Sequence, residues 1–190
     1  TKPAPYTEDD LVAPISIYGA SKADGEAAIR RDLDRHVIVR TSWVYGVHGA
    51  NFVKTMLRLA AAGKELRVVN DQRGCPTAAA DLAAAIVAIA GRWQDGLAAW
   101  GTYHYCGRGA TTWYGFAREI LRWREERGGS PIDVTPITSA DYPTAARRPA
   151  NSELECARVV TIFGVERPAW RVSLRQVLDA LGAPAARAIP

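Results

Sequence analysis

Three β-branched residues in succession, Val37-Ile38-Val39, run into Arg40-Thr41-Ser42-Trp43 directly after a stretch whose apolar residues recur at helical spacing. A short apolar run that ends in small polar residues is a strand covered on both faces, and such strands belong to parallel sheets with helices packed against them. That places the chain in the α/β class. Open sheets of this class bind ligands in the crevice beyond the carboxyl ends of their strands, so the stretch from Thr41 to Gly46 is the first candidate for a site.

The other elements follow the same alternation. Ser16 can cap a helix with Ala20, Ala23, Ala27 and Ile29 at its apolar positions, ending near Asp34. Asn51 can cap a second helix that runs to Ala62 and stops at Gly63, and Thr77 an alanine-rich third that ends at Gly91, its Leu82, Ile86 and Ile89 against the sheet. Leu66 to Val69, Thr102 to Cys106 and Val134 to Ile137 read as short strands, the first and last paired in a small lobe. A helix follows over Thr112 to Arg127, then a long loop from Ser139 to Glu153 and a closing helical region with Trp170, Leu174, Val177, Leu178 and Leu181. Gly107-x-Gly109 lacks the third glycine of a dinucleotide-binding turn and is read as a tight turn. The Ala/Pro-rich stretch from Ala183 to Pro190 is expected to fray.

On the first helix, Tyr18 and Lys22 stand four residues apart and so share a face. A free tyrosine has a pKa of about 10 and exchanges protons poorly at neutral pH, whereas a neighbouring cation favours its phenolate. The pair suits proton transfer at a carbonyl or alcohol oxygen. Trp43, just past the strand, offers a flat ring to a sugar. Asn51, Gln72 and Thr77 are polar groups in loops, although Asn51 and Thr77 need no ligand if they cap helices. Arg147-Arg148 can clamp a diphosphate through charge-assisted bonds.

Six stretches stand in one collinear order: Tyr18-x-x-x-Lys22 with Gly25-Glu26, Arg40 to Gly46, Asn51 to Met56, Asn70 to Thr77, Gly101 to Gly107, and Arg148-Pro149-Ala150-Asn151-Ser152. In that order they resemble the extended short-chain dehydrogenase/reductases, and within them the dTDP-4-dehydrorhamnose reductases. The resemblance implies the carboxyl-terminal part of a Rossmann-like doubly wound parallel sheet with a smaller α/β substrate-binding lobe. Residues 1–50 and 77–107 would be the remainder of the NAD(P)-binding domain, and residues 51–76 and 108–190 the substrate lobe. It implies NADPH or NADH as cofactor and a dTDP-sugar as substrate, with the C4 keto group of dTDP-4-dehydro-L-rhamnose reduced to give dTDP-L-rhamnose for cell-surface polysaccharide. Tyr18 would donate the proton, and Tyr18, Lys22 and Thr41 would meet the cofactor. Trp43, Asn51, Gln72 and Arg148 would bind the substrate. The family's glycine-rich turn and its Ser or Thr on an earlier strand have no match here. The chain is therefore expected to be a carboxyl-terminal portion, inactive as a reductase by itself, with an open sheet edge and exposed apolar surface. The alternatives are another nucleotide-sugar epimerase or reductase of the same family, or a non-catalytic regulatory subunit on the same fold.

Composition agrees with an ordinary globular protein: of 190 residues, 48% are hydrophobic and 23% charged. The net charge of +4 favours an anionic ligand, but the basic residues form no stripe, which argues against nucleic acid. Cys75, Cys106 and Cys156 are odd in number and widely spaced, as in free thiols of a reducing compartment. His36, His48 and His104 lack metal-site spacing, so no metal is expected. The most apolar stretch, Ala78 to Ala90, is too short to span a bilayer and holds Asp81, which points to a cytoplasmic protein with no membrane partner and leaves room for a homodimer.

Overall fold

The computed structural model of the protein describes residues 2–144 and 147–182, and the Ala183 to Pro190 stretch lies outside them. Helix α1 (Ile17–Asp32) starts at its expected cap, Ser16 Oγ accepting the Gly19 N–H at 3.1 Å. Strands β1 (Val37–Arg40) and β2 (Val44–Tyr45) lead to helix α2 (Phe52–Ala61), where Asn51 Oδ1 accepts the Lys54 N–H at 3.2 Å. Then come β3 (Leu66–Val69), β4 (Arg73–Gly74), β5 (Thr77–Ala78), α3 (Ala79–Gln94), β6 (Gly101–His104) and β7 (Thr111–Thr112). Helix α4 (Trp113–Glu125), β8 (Val134–Ile137), β9 (Asn151–Ser152), α5 (Ala157–Phe163) and α6 (Trp170–Ala180) complete the chain.

Parallel pairing dominates, as the β-branched run predicts. Strand β1 pairs with β6, Val37 opposite Gly101 and Arg40 opposite His104, and β2 pairs with β5. Strand β3 pairs with β8, Leu66 opposite Val134 and Val69 opposite Ile137, which is the small-lobe pairing expected from the sequence. Pro136 is tolerated in β8 because β3 is that strand's one neighbour among the described residues. Strand β4 lies between β7, antiparallel, and β9, parallel.

Two cores result. Tyr45, Val53, Met56, Leu66, Val68, Phe116, Trp123 and Trp170 fill one between α2, β3, α4 and α6. Tyr103, Tyr105, Ile89, Val159 and Phe163 fill the other around β6, α3 and α5, together with all three cysteines. The thiols that are far apart in sequence meet here: Cys106 Sγ lies 3.5 Å from Cys156 Sγ, and all three are free and buried. His104 is buried as well, its Nδ1 3.1 Å from the Tyr6 carbonyl, and burial lowers its pKa.

Thr77 departs from its expected role. It does not cap α3, which begins at Ala79 without a side-chain cap and runs through Gly91. The Thr77 N–H bonds to the Trp43 carbonyl in the β2–β5 pairing, and its fully buried hydroxyl donates to the Cys75 carbonyl. Tertiary pairing overrides the local capping preference.

Helix α1 has no buried residue, and Ile17 and Tyr18 are largely exposed. It is held to the sheet by charge. Arg40 donates to both Glu26 oxygens at 2.8 and 2.6 Å, and Arg30 bridges Glu26 and the Thr102 hydroxyl. The arginines hold the Glu26 carboxyl below its ordinary 4.5, Arg40 contributing most and burial opposing. A depressed folded-state pKa contributes stability that is complete above the unfolded value and is lost as pH falls through the folded one. Glu26→Gln should therefore cost about 1 to 3 kcal/mol at neutral pH. In denaturant melts the gap from the parent should close as pH drops below 4.5, and a gap that does not change with pH would contradict this role.

Candidate functional site

A cavity of about 1060 Å³ opens beside the β3–β8 pair. Leu66 to Val69 form its floor, Phe52, Met56 and Leu59 of α2 one side, and Trp113 its inner wall. Gln72, Ser139, Tyr142, Arg147 and Arg148 complete the lining. Apolar and aromatic walls with a few convergent polar groups are what a small-molecule site requires, and the volume suits a large ligand. Neither Arg147 nor Arg148 has a carboxylate partner among the described residues, so two guanidinium groups are free to meet an anion. Arg67 adds a third cation at the rim.

Trp43 joins the end of β1 to this cavity without lining it. Its φ of 48° is a left-handed conformation that non-glycine residues avoid, at a cost on the order of 1–3 kcal/mol. Packing holds it there: its ring stacks on Trp113 with centroids 3.7 Å apart and planes 10° from parallel. Beneath the same ring lies the backbone of β4. A Cβ on Gly74 would come within 2.5 Å of Trp43 Cε2 and 2.6 Å of Ser152 Oγ, so the close approach requires glycine. Trp113, capped through Thr112 and stacked on Trp43, is thereby fixed as the cavity wall.

The remaining expected site residues divide into three groups. Gln72 and Arg148 line the cavity, Gln72 Nε2 donating to Ser139 Oγ at 2.9 Å. Asn51 does not. Both ends of its amide are committed, Oδ1 to the α2 cap and Nδ2 to the Gly46 carbonyl at 2.7 Å, and it borders a separate groove of about 490 Å³. Tyr18, Lys22 and Thr41 form the third group. Arg30, late in α1, meets Thr102 opposite Ile38, and Glu26, one turn earlier, meets Arg40, so α1 runs antiparallel to β1. Lys22 and Tyr18 lie one and two turns farther along the Glu26 face, which carries them past the strand end occupied by Thr41. The Lys22 ammonium sits 5.4 Å from the centre of the Tyr18 ring. The Thr41 hydroxyl is buried without a hydrogen-bond partner among the described residues. A buried hydroxyl left unsatisfied is costly, so Thr41 Oγ1 fits a group that ligand binding supplies.

Sequence reasoning missed Phe52, Trp113 and Tyr142 as cavity residues. The first two had a visible signal, an aromatic residue directly after a helix cap in Asn51-Phe52 and Thr112-Trp113. Among the described residues no group of three or more His, Cys, Asp or Glu side chains is arranged for a metal ion, and no helix is long and apolar enough to cross a membrane.

Comparison with known proteins gives a consistent result. Residues 1–183 match the family model described as RmlD substrate binding domain. A dTDP-4-dehydrorhamnose reductase of Sinorhizobium fredii is 46% identical over 182 residues, covering 95% of this chain and 62% of the relative. Among solved structures, the dTDP-4-dehydrorhamnose reductase of Clostridium acetobutylicum superposes with a TM-score of 0.86 at 37% identity, covering 95% of this chain and 61% of that one. That of Bacillus anthracis, in complex with NADP, gives 0.82 at 34% identity over 94% of this chain and 60% of its own. The chain thus spans about 60% of the length of these relatives.

The stack over Gly74 yields a direct test. Gly74→Ala should push Trp43 off Trp113 and destabilise the protein by about 1 to 3 kcal/mol, the usual range for overpacking. Near-ultraviolet circular dichroism should lose the signal of the tryptophan pair. An alanine variant with parent stability and an unchanged spectrum would show that the contact can relax.

Proposed function

The chain belongs to the RmlD substrate binding domain family, and on that premise we propose that it carries the sugar-nucleotide site and the proton-transfer pair of a dTDP-4-dehydrorhamnose reductase. The observation that carries this reading is the cavity beside β3 and β8, where aromatic walls face two arginines free of carboxylate partners. A nucleoside diphosphate sugar offers the matching parts, a flat base and an anionic diphosphate. Arg148 binds the diphosphate with its planar donor fork. Gln72 bonds the sugar or the turn beside it, and Trp43 and Asn51 act through the wall and helix they hold in place.

The reduction needs hydride at C4 and a proton at the C4 oxygen. A bound nicotinamide cofactor, NADPH or NADH, supplies the hydride. Tyr18 donates the proton from its hydroxyl, which has no hydrogen-bond partner among the described residues. Lys22, on the same face, holds the cofactor ribose and stabilises the phenolate left behind. Thr41 Oγ1 gains its missing partner from the cofactor side of the crevice.

Residues 1–50 and 77–107 form the cofactor side in this reading, and residues 51–76 and 108–182 the substrate side. Strand pairing supports the division, since β1 with β6 and β2 with β5 fall on one side, and β3 with β8 and β4 with β7 and β9 on the other. Helix α5 crosses it by packing Phe163 on Tyr103.

Tyr18→Phe removes the hydroxyl and keeps the ring. In a reductase assay of the whole protein its kcat should fall roughly 100-fold or more while NADPH affinity is kept. Lys22→Ala should weaken both turnover and cofactor binding. Parent-like kcat for Tyr18→Phe at saturating substrate would remove Tyr18 from the chemistry.

A further inference from the structure

The turn after β8 is tied more heavily than its exposed position requires. The ladder of β3 and β8 continues one bond past the strands, Asn70 N–H to the Ile137 carbonyl at 2.9 Å. Just beyond, Asp71 accepts three bonds from Ser139: its N–H reaches both carboxylate oxygens at 3.0 and 2.9 Å, and its hydroxyl reaches Oδ1 at 2.7 Å. Gln72 adds a fourth contact to the Ser139 hydroxyl. A second carboxylate, Asp141, closes the turn on itself by accepting the Thr138 N–H and hydroxyl at 2.9 and 2.7 Å. The Tyr142 N–H then returns to the Ser139 carbonyl.

What this turn delivers is a single aromatic ring. Tyr142 lines the same cavity as Phe52 and Trp113, yet it is 58% exposed. An aromatic ring held half in water by a pinned backbone is a ready platform for another flat ring, because its ordering cost is met before the ligand arrives. Asp71 lines the same cavity. Its oxygens are turned to Ser139, whose N–H contributes most to holding its carboxyl below the ordinary range, so Asp71 stays ionised and its acceptors are spent on the turn and not on a ligand.

We propose that Asp71 is a positioning residue: through Ser139 it fixes the turn 138–142, so that Tyr142 forms the nucleobase platform of the cavity. This rests on the sugar-nucleotide reading above and adds to it the residue that stacks on the base and the one that holds it there.

The test is a double-mutant cycle read by calorimetric titration of this chain with dTDP. Tyr142→Ala and Asp71→Ala should each weaken binding about tenfold, the scale of one base–aromatic stack, and Tyr142→Phe should bind like the parent. The double variant should bind no more weakly than the weaker single one, because both changes remove the same interaction. If Asp71→Ala loses its cooperative melt, Asp71→Asn, which leaves one acceptor oxygen for the Ser139 N–H and hydroxyl, replaces it in the cycle with the same expected non-additivity. Parent-like affinity for the latch variant, or a double effect equal to the product of the singles, overturns the latch while leaving the cavity's assignment standing. A parent chain that does not bind dTDP overturns that assignment and the latch together.

Discussion

The close approach of the β4 backbone to the Trp43 indole, possible because residue 74 has no side chain, is the contact on which the site depends. Trp43 is held in an unfavourable backbone conformation by that contact below and by Trp113 above. Trp113 is the first residue of α4, whose later turns place Phe116, Ile120 and Trp123 in the main core. The same short strand pairs with β7 and β9 on its two edges. Displacing the ring would therefore disturb a cavity wall, a helix start and a three-stranded sheet together. Strain at the end of β1 persists because the packing around it over-determines the geometry.

The two halves of the proposed site are built by different forces. The cavity beside β3 and β8 rests on apolar burial, with Val53, Leu66 and Val68 nearly inaccessible to solvent. Helix α1 buries nothing completely and is attached by the Glu26 ion pair with Arg40 and by the Arg30 hydrogen bond to the Thr102 hydroxyl. The Arg40 pair is bidentate and largely shielded, so it is worth more than an ordinary surface contact. The proposed substrate cavity thus rests on the packed core. The proposed proton-transfer pair sits on an element whose position is set by charge.

Much of this architecture was legible in the residues, and the reasons differ by element. The caps Ser16 and Asn51 could be read because capping is local chemistry. The β3–β8 pairing could be read from two short strand-like runs placed together in a small lobe. At Gly107 close packing requires glycine, since a Cβ there would collide with the Pro76 carbonyl. Non-local contacts were hidden. Nothing in the sequence announces that Thr77 pairs with Trp43, that three distant cysteines converge, or that Trp43 reaches the cavity through Trp113. For the site, Gln72 and Arg148 were found at the cavity, whereas Asn51 proved to be committed to its helix.

In the proposed site the β3–β8 cavity, and not the groove beside Asn51 or the face of α1, receives the nucleotide. Titrating isotope-labelled protein with dTDP and following amide and indole resonances tests it most directly. The account predicts shifts concentrated at Arg67, Gln72, Trp113, Tyr142 and Arg148, with Ala79, Ala80 and Val177 of the smaller groove unmoved. Shifts centred on that groove, or spread evenly over the surface, would contradict it.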